Sequence, residues 1–341
     1  MTPPKRIPHA HKILLCSPVS EGSFLKKTSF CNRTYYVIIN NAVESARGYV
    51  LKRILLSLII LMTPSVPAFG MLTEDVKIPM ESKGLFGNTK YRLAAYIHKP
   101  DDFDSARKYP VVIISHGTAV DSYTRTHARF DYAYASEYFL RKGFVAVVPM
   151  RRGYAGSDGA WIADSIGSCS NPDYSSSARE ASRDVAAIIS YVKSLPYADT
   201  QRILLVGASA GGFTSLATAS LNIEGVIGAI NFAGGQGGSG RSEPSGHACN
   251  ERRLIETMGS FGKAKVPTLW IYSENDTFFG PELAQAMFDD FLRNGGRGKL
   301  VIAPPFGHSL LSREEGRNIW ASYGDEFLDE LKVGNGIKMD W

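Results

Sequence analysis

The sequence predicts an α/β fold with a largely parallel sheet flanked by helices, and three observations carry that reading. Apolar runs of strand length recur at 111–115, 144–148, 202–206, 226–232, 266–272 and 300–303. Several are continuous rather than alternating, as expected of strands buried on both faces. Helical patterns separate them, which is the arrangement of strand–helix–strand units rather than of a sandwich or bundle. Of the 341 residues, 44% are hydrophobic and 21% charged, which excludes a disordered or collagen-like chain.

The elements follow in order. Residues 91–98 read as an early, antiparallel strand. The run at 111–115 follows Pro110. Residues 133–142 form a helix ended by Gly143, and 144–148 the next buried strand. Over 177–195, Ala181, Val185, Ile188, Ile189 and Val192 recur on one helical stripe, and Pro196 stops the helix. The strand at 202–206 leads directly into a glycine-rich turn and a helix of small residues. Strands at 226–232 and 266–272, a helix at 281–293, a strand at 300–303 and a helix around 319–331 complete the series. There is no internal repeat. Two segments, 151–176 and 233–252, break the rhythm with Gly, Ser and polar residues. Both follow strands, so both are expected at the carboxyl ends of the sheet, where α/β proteins bind ligands. Each carries one cysteine, and Cys169 and Cys249 are expected to pair across the two loops.

The net charge of +5 and pI of 8.9 first suggest a nucleic-acid or membrane partner. The charge lies at the front. Residues 1–70 hold nine of the 38 Lys/Arg and two of the 33 Asp/Glu, leaving 29 basic against 31 acidic residues for the rest. Lys52-Arg53 precede the apolar run 54–62, followed by small residues and prolines up to Gly70. That is the pattern of an export signal at 50–70, cut after Ala68 or Gly70, and it is too short to span a bilayer as a helix. The alternative is an uncleaved signal anchor. Residues 1–49 make an unusually long lead and are expected to be a non-native or unstructured extension, with translation starting near Val50. The remaining 71–341 reads as one domain in a secreted or periplasmic protein. No nucleic-acid partner is expected.

The chemistry centres on Gly207-Ala208-Ser209-Ala210-Gly211. A Gly-x-Ser-x-Gly sequence between a strand and a helix is the setting of a nucleophile elbow, in which the serine stands exposed on a sharp turn. The bland alternative is a tight turn with an ordinary serine. A serine nucleophile needs a base, and the base an orienting acid. Asp276, in the loop after 266–272, is the chosen acid, with Glu274 the fallback and a helix cap the structural alternative. His308 follows the last strand. Of the two histidines after Ser209, His247 precedes Asp276 and breaks the expected order. Oxyanion donors are expected from the backbone N–H of Ala210 and of Thr118, in the loop His116-Gly117-Thr118. His116 is read as a structural residue of that loop. Tyr154, Trp161, Phe278 and Phe279 are candidate pocket residues, with core packing the competing role. Arg151 and Arg152 are candidates for a substrate carboxylate, and equally for solvated side chains or for pairing with acids such as Asp158. No metal-ligand spacing is present.

These residues resemble the α/β-hydrolase superfamily, and within it dienelactone-hydrolase-like proteins and prolyl-oligopeptidase-type serine hydrolases. The motifs are His116-Gly117-Thr118, Arg152-Gly153-Tyr154-Ala155-Gly156-Ser157, Gly207 to Gly211, the Asp276 loop and Gly307-His308, spread over residues 91–331. The resemblance implies an eight-stranded sheet, a Ser–Asp–His triad and no cofactor. Dienelactone hydrolases proper use a cysteine nucleophile where this chain has Ser209, which points to ordinary ester chemistry. The expectation is a serine esterase acting through an acyl-enzyme on a small ester. A peptidase of short peptides and a non-catalytic binding protein are the rival readings.

Overall fold

The computed structural model describes residues 70–84, 87–238 and 245–334. Segment 1–49 and the expected export signal, apart from Gly70, lie outside them. The chain runs β1 (Met71–Gly84), β2 (Gly87–Pro100), β3 (Tyr109–Ser115), α1 (Ser122–His127), α2 (Ala133–Arg141) and β4 (Val145–Pro149). A two-residue hairpin follows, β5 (Gly167–Ser168) and β6 (Asn171–Pro172). Then come α3 (Tyr174–Ser194), β7 (Ala198–Ala208), α4 (Ala210–Ala219), β8 (Val226–Phe232) and α5 (Glu251–Ser260). The series ends with β9 (Thr268–Ser273), α6 (Pro281–Arg293), β10 (Gly298–Ala303) and α7 (Glu314–Glu330).

Eight strands form one sheet in the order β1-β2-β4-β3-β7-β8-β9-β10. β2 is antiparallel to both β1 and β4, and every pair from β4 to β10 is parallel. The early strand is antiparallel as its sequence suggests. The continuous apolar runs are explained by the two layers that cover the sheet. In β3, Val111 and Ile113 face a core shared with Val185 and Ile188 of α3, Phe213 of α4, Leu254 of α5 and Met287 of α6. Val112 and Ile114 face the other core, built with Tyr138 and Phe139 of α2 and Trp320 and Phe327 of α7. The side-chain period of two thus feeds both layers from one apolar run.

Strand order reverses at β3: β4 lies on one side and β7 on the other. The crevice outside their carboxyl ends is the topological switch point of the sheet. The loops after β3, β4, β7, β8, β9 and β10 all open on that side.

The structure adds elements that the pattern does not reveal. β1 mixes charged and apolar residues, and among its residues 71–81 only Ile78 and Met80 are buried. Its Pro79 argues against a central strand and is compatible with the edge position it occupies. α5 begins inside the segment 233–252, at Glu251, and buries only Leu254, Thr257, Met258 and Gly259. α3 starts three residues before the expected 177, because Asp173 caps it by accepting from the Ser176 N–H. Its serine-rich first turn hides the helical pattern. Cys169 and Cys249 form a disulfide with Cα atoms 4.9 Å apart, across 80 residues of sequence. It joins the two long loops at the carboxyl ends of β4 and β8. Among the described residues, no helix is long and apolar enough to cross a membrane.

Reducing this disulfide, or replacing Cys169 and Cys249 by serine, is expected to lower stability by about 2–4 kcal/mol. Denaturant unfolding of oxidised and reduced protein measures it. Superimposable curves would contradict the expectation.

Candidate active site

Ser209 is the single residue between β7 and α4. Its φ of 55° and ψ of −125° lie where non-glycine residues seldom go. The flanking glycines make this turn feasible. A Cβ on Gly207 would stand 2.2 Å from the Gly211 carbonyl oxygen, and one on Gly211 would stand 2.0 Å from the carbonyl oxygen of Ser115, at the end of β3. Any larger residue would force α4 away from both strands. The Ser209 N–H donates to the Phe232 carbonyl at 2.9 Å, and its own carbonyl accepts from Phe213 at 3.1 Å and Gly235 at 3.3 Å. The serine backbone is thereby pinned to the loop after β8. The loop after β3 also reaches it: a Cβ on Gly117 would lie 3.3 Å from the Ser209 Cβ and 3.9 Å from its Oγ.

Asp276 and His308 come together from the loops after β9 and β10. His308 Nδ1 lies 2.9 Å from Asp276 Oδ2 and 3.1 Å from Oδ1. The same carboxylate accepts the Phe278 N–H at 2.8 Å and the Phe279 N–H at 3.1 Å. The Asp276 side chain is wholly buried and that of His308 is 19% exposed. A carboxylate accepts only, so Nδ1 carries the proton toward Asp276 and Nε2 is left as the acceptor. The loop bearing His308 is tied down by the Phe306 N–H on Ser273 Oγ at 2.7 Å and the Gly307 N–H on Asn275 Oδ1 at 2.6 Å. Glu274 is exposed, and Asp276 is the acid that meets His308. His247 pairs instead with Glu251 at 2.7 Å.

The His308 ring stacks on Phe278, with centroids 4.3 Å apart, and lies 5.7 Å from Phe279. Phe279 presses on Gly235, where a Cβ would stand 2.5 Å from the ring. Gly235 is the residue whose N–H holds the Ser209 carbonyl. One aromatic contact therefore links the histidine loop to the serine loop.

Behind the loop after β3 lies a buried polar cluster. His116 Nε2 accepts the Arg151 N–H at 3.1 Å, so Nδ1 is the protonated nitrogen and donates to the Gly117 carbonyl at 2.7 Å. Burial, and secondarily the Arg151 charge, hold the His116 pKa well below its usual value. His116 is thus a neutral structural brace. Arg151 donates to the His116 carbonyl at 2.6 Å and forks onto Asp164 at 3.1 and 2.8 Å. Tyr154 donates to Asp164 Oδ2 and accepts the Ala119 N–H at 3.3 Å. The Gly117 N–H donates to Tyr132 Oη at 3.2 Å. The amides on either side of Thr118 are therefore engaged from within the protein.

The structure selects among alternatives that the sequence left open at two places. Arg151 and Arg152 do not face a substrate carboxylate: both are buried, Arg151 on Asp164 and Arg152 on Asp184 at 2.6 Å and Glu180 at 3.0 Å. Asp158 pairs with Arg92 rather than with either of them. Tyr154 is 2% exposed and supports the loop from behind instead of lining an open surface. Trp161 is partly exposed, with the Arg125 guanidinium 4.6 Å above its ring. Asp164 and Tyr132 escape the sequence reading, because no local spacing marks them and their partners are 10 or more residues away.

The strand order, the lone antiparallel β2 and the elbow at the switch point define an α/β-hydrolase fold. Residues 93–327 match the model of the dienelactone hydrolase family, and the chain belongs to that family. It is 28% identical over 197 residues to dipeptidyl-peptidase 5 of Schizosaccharomyces pombe, a match covering 58% of this chain and 24% of that protein. Against dipeptidyl-peptidase 5 of Porphyromonas gingivalis it is 26% identical over 122 residues, 36% of this chain and 16% of that one. The chain thus spans a quarter or less of these relatives. Two solved structures share the fold. Dipeptidyl peptidase 4 of Porphyromonas gingivalis superposes with a TM-score of 0.53 at 17% identity, over 76% of this chain and 35% of that one. An esterase from Pyrococcus furiosus gives 0.52 at 14% identity, over 76% and 90%.

Asp164→Ala is expected to destabilise the protein by about 3–5 kcal/mol, because it strands the buried Arg151 charge. Chemical denaturation checks it, and a loss below 1 kcal/mol, about the value of a surface pair, would contradict it. Acid should act through the histidines. His98 and His116 are buried, and burial lowers both pKa values. Above about pH 6.5 both are neutral, folded or unfolded, and their stability contribution is complete. As pH falls below that value the unfolded chain takes up protons that the folded one refuses, so the contribution is lost progressively. Unfolding free energies measured from neutral to mildly acidic pH should decline, and a rise would refute the assignment.

Proposed function

We propose that this protein is a serine hydrolase that cleaves carboxylic esters through an acyl-enzyme on Ser209. The observation that carries the proposal is the strained Ser209 elbow, with the hydrogen-bonded Asp276–His308 pair on the neighbouring loops. In this reading His308 Nε2 takes the Ser209 proton as Oγ attacks the ester carbonyl. Asp276 keeps the imidazole in the required tautomer and stabilises its charged form. The oxyanion is met by the N–H groups of Ala210, at the start of α4, and of Thr118, whose neighbours are already engaged by tyrosines. His308 returns the proton to the leaving alcohol. It then takes a proton from the water whose oxygen attacks the acyl carbonyl, and passes that proton to Ser209 Oγ as the Oγ–acyl bond breaks and the acid leaves. The site needs no cofactor for these steps.

A second reading, a peptidase of short peptides, is supported by the dipeptidyl-peptidase 5 relatives. The same elbow and acid–base pair serve either bond. We also place the protein outside the cytoplasm, in the periplasm or secreted. The Cys169–Cys249 disulfide suits an oxidising compartment, and 50–70 has the pattern of an export signal.

Ser209→Ala should abolish turnover of p-nitrophenyl esters and labelling by a fluorophosphonate probe. Asp276→Asn should lower kcat by about 10⁴ while leaving the fold intact. Ester hydrolysis retained by Ser209→Ala would overturn the mechanism. Assayed side by side, p-nitrophenyl esters should turn over faster than aminoacyl-p-nitroanilides. The reverse order would select the peptidase.

A further inference from the structure

The turn that carries Asp276 is held from outside by a short strip, Gly246 to Cys249. The Gly246 N–H donates to the Thr277 carbonyl at 2.8 Å, and the Gly246 carbonyl accepts the Gly280 N–H at 2.7 Å. Gly246 thus grips both ends of the turn whose Phe278 and Phe279 N–H groups donate to the Asp276 carboxylate. Its φ of 84° is left-handed, and a Cβ on it would stand 3.3 Å from the Gly280 Cα and 3.5 Å from the Asp276 carbonyl oxygen. The same turn presents Phe278 to the His308 ring.

The strip consists of turns and one isolated bridge, Ala248 to Gly238, beside which the Cys249 N–H donates to the Gly237 carbonyl at 3.0 Å. Its covalent fastening is Cys249, joined to Cys169 at the tip of the β5–β6 hairpin. That hairpin is itself anchored. The Asp173 N–H donates to the Ile166 carbonyl at 2.8 Å, Asp173 caps α3, and Arg253 of α5 donates to the Pro172 carbonyl at 3.2 Å. The disulfide therefore ties the strip that clamps the Asp276 turn to the start of α3. The Tyr174 hydroxyl also donates to the Cys249 carbonyl. Breaking the sulfur–sulfur bond would accordingly slacken the strip without releasing it.

We propose that the Cys169–Cys249 disulfide is a positioning element for Asp276. Through Cys249 and Gly246 it fixes the turn that aims the carboxylate at His308, so the oxidation state of the pair sets kcat in a protein that stays folded. This rests on the serine-hydrolase reading of Ser209, Asp276 and His308. A misplacement of about 1 Å in a catalytic group costs up to about a hundredfold in rate. A slackened strip should cost less than that, and far less than losing the carboxylate.

Cys169 is partly exposed and Cys249 buried, so a dithiol reductant attacks at the Cys169 sulfur. Its first thiolate forms a mixed disulfide with Cys169 and expels the Cys249 thiolate, which takes a proton. Its second thiol displaces Cys169 as a thiol, and the reductant leaves as a cyclic disulfide. Two electrons and two protons have then passed to the protein.

The test uses the full chain as expressed, oxidised, then reduced with dithiothreitol that is removed without air. The substrate is whichever of p-nitrophenyl butyrate or an aminoacyl-p-nitroanilide turns over faster, at a temperature where circular dichroism shows the protein folded. Reduction should lower kcat about tenfold or more and leave KM within about twofold, and reoxidation should restore kcat. The downfield proton resonance of the His308 Nδ1–H, absent from His308→Ala, should shift or broaden on reduction. A purely structural disulfide would move neither in folded protein. Gly246→Ala, with the disulfide intact, should lower kcat to a similar extent. Reducing that variant should cost less than about twofold more, because both changes act on one turn.

An unchanged kcat in folded, reduced protein would overturn the proposal, as would fully additive losses or a rise in KM at constant kcat. Where the reduced protein is unfolded at the assay temperature, Gly246→Ala decides: a tenfold loss sustains the proposal and wild-type kcat overturns it. Fluorophosphonate labelling of the oxidised chain separates the two levels. Labelled protein whose kcat ignores reduction removes the disulfide's role alone, whereas unlabelled protein removes the catalytic reading and that role with it.

Discussion

The crossing of β7 and α4 against β3 is the constraint on which the site depends. Gly211 packs so closely on the Ser115 carbonyl that no side chain fits between them, and Gly207 meets Gly211 in the same way. This contact forces the intervening Ser209 into its sparsely populated backbone conformation, at a cost on the order of 1–3 kcal/mol. The surrounding hydrogen bonds, to Phe232, Phe213 and Gly235, hold it there. The same contact sets the end of β3 beside the serine, so the loop starting at His116 has to pass close to Ser209. Ser209 and the loop after β3 are therefore placed by one steric fact.

The second level of organisation is polar and buried. Arg151, Asp164, Tyr154 and His116 form a connected cluster under the loop after β3, drawing on residues from the loops after both β3 and β4. Ion pairs of this kind contribute little net stability compared with apolar packing, but they are costly to leave half-made. They define one loop geometry where an apolar contact would tolerate several. The two apolar cores hold the sheet and helices together, and the polar cluster determines where the loop amides point. The disulfide performs a related task further out, tying the loop after β4 to the loop after β8.

The central strands were legible in the sequence because burial on both faces leaves runs such as 111–115 and 226–232 with almost no polar residue. The elbow was legible because its glycines answer a local steric demand. That Asp276 and His308 meet was legible because the topology of the fold constrains their order along the chain. β1 was not, since an edge strand with one wet face and an internal proline carries a weak pattern. The serine-rich start of α3 and the sparse apolar stripe of α5 failed for the same reason of low local contrast. For Arg151 and Arg152 the choice between a substrate carboxylate and internal acids stayed open, because sequence shows a charge without showing its partner.

By itself, then, the sequence determined the α/β class, the strand–serine–helix turn and the pairing of Asp276 with His308, all of which rest on local sterics or on chain order. Only the tertiary structure decided which carboxylate each arginine meets, and that Tyr154 braces the loop after β3 through the Ala119 N–H and Asp164. Those facts depend on contacts between loops distant in sequence. Hydrogen-bond and packing partners brought together by the sheet leave no periodicity or spacing for the sequence to display.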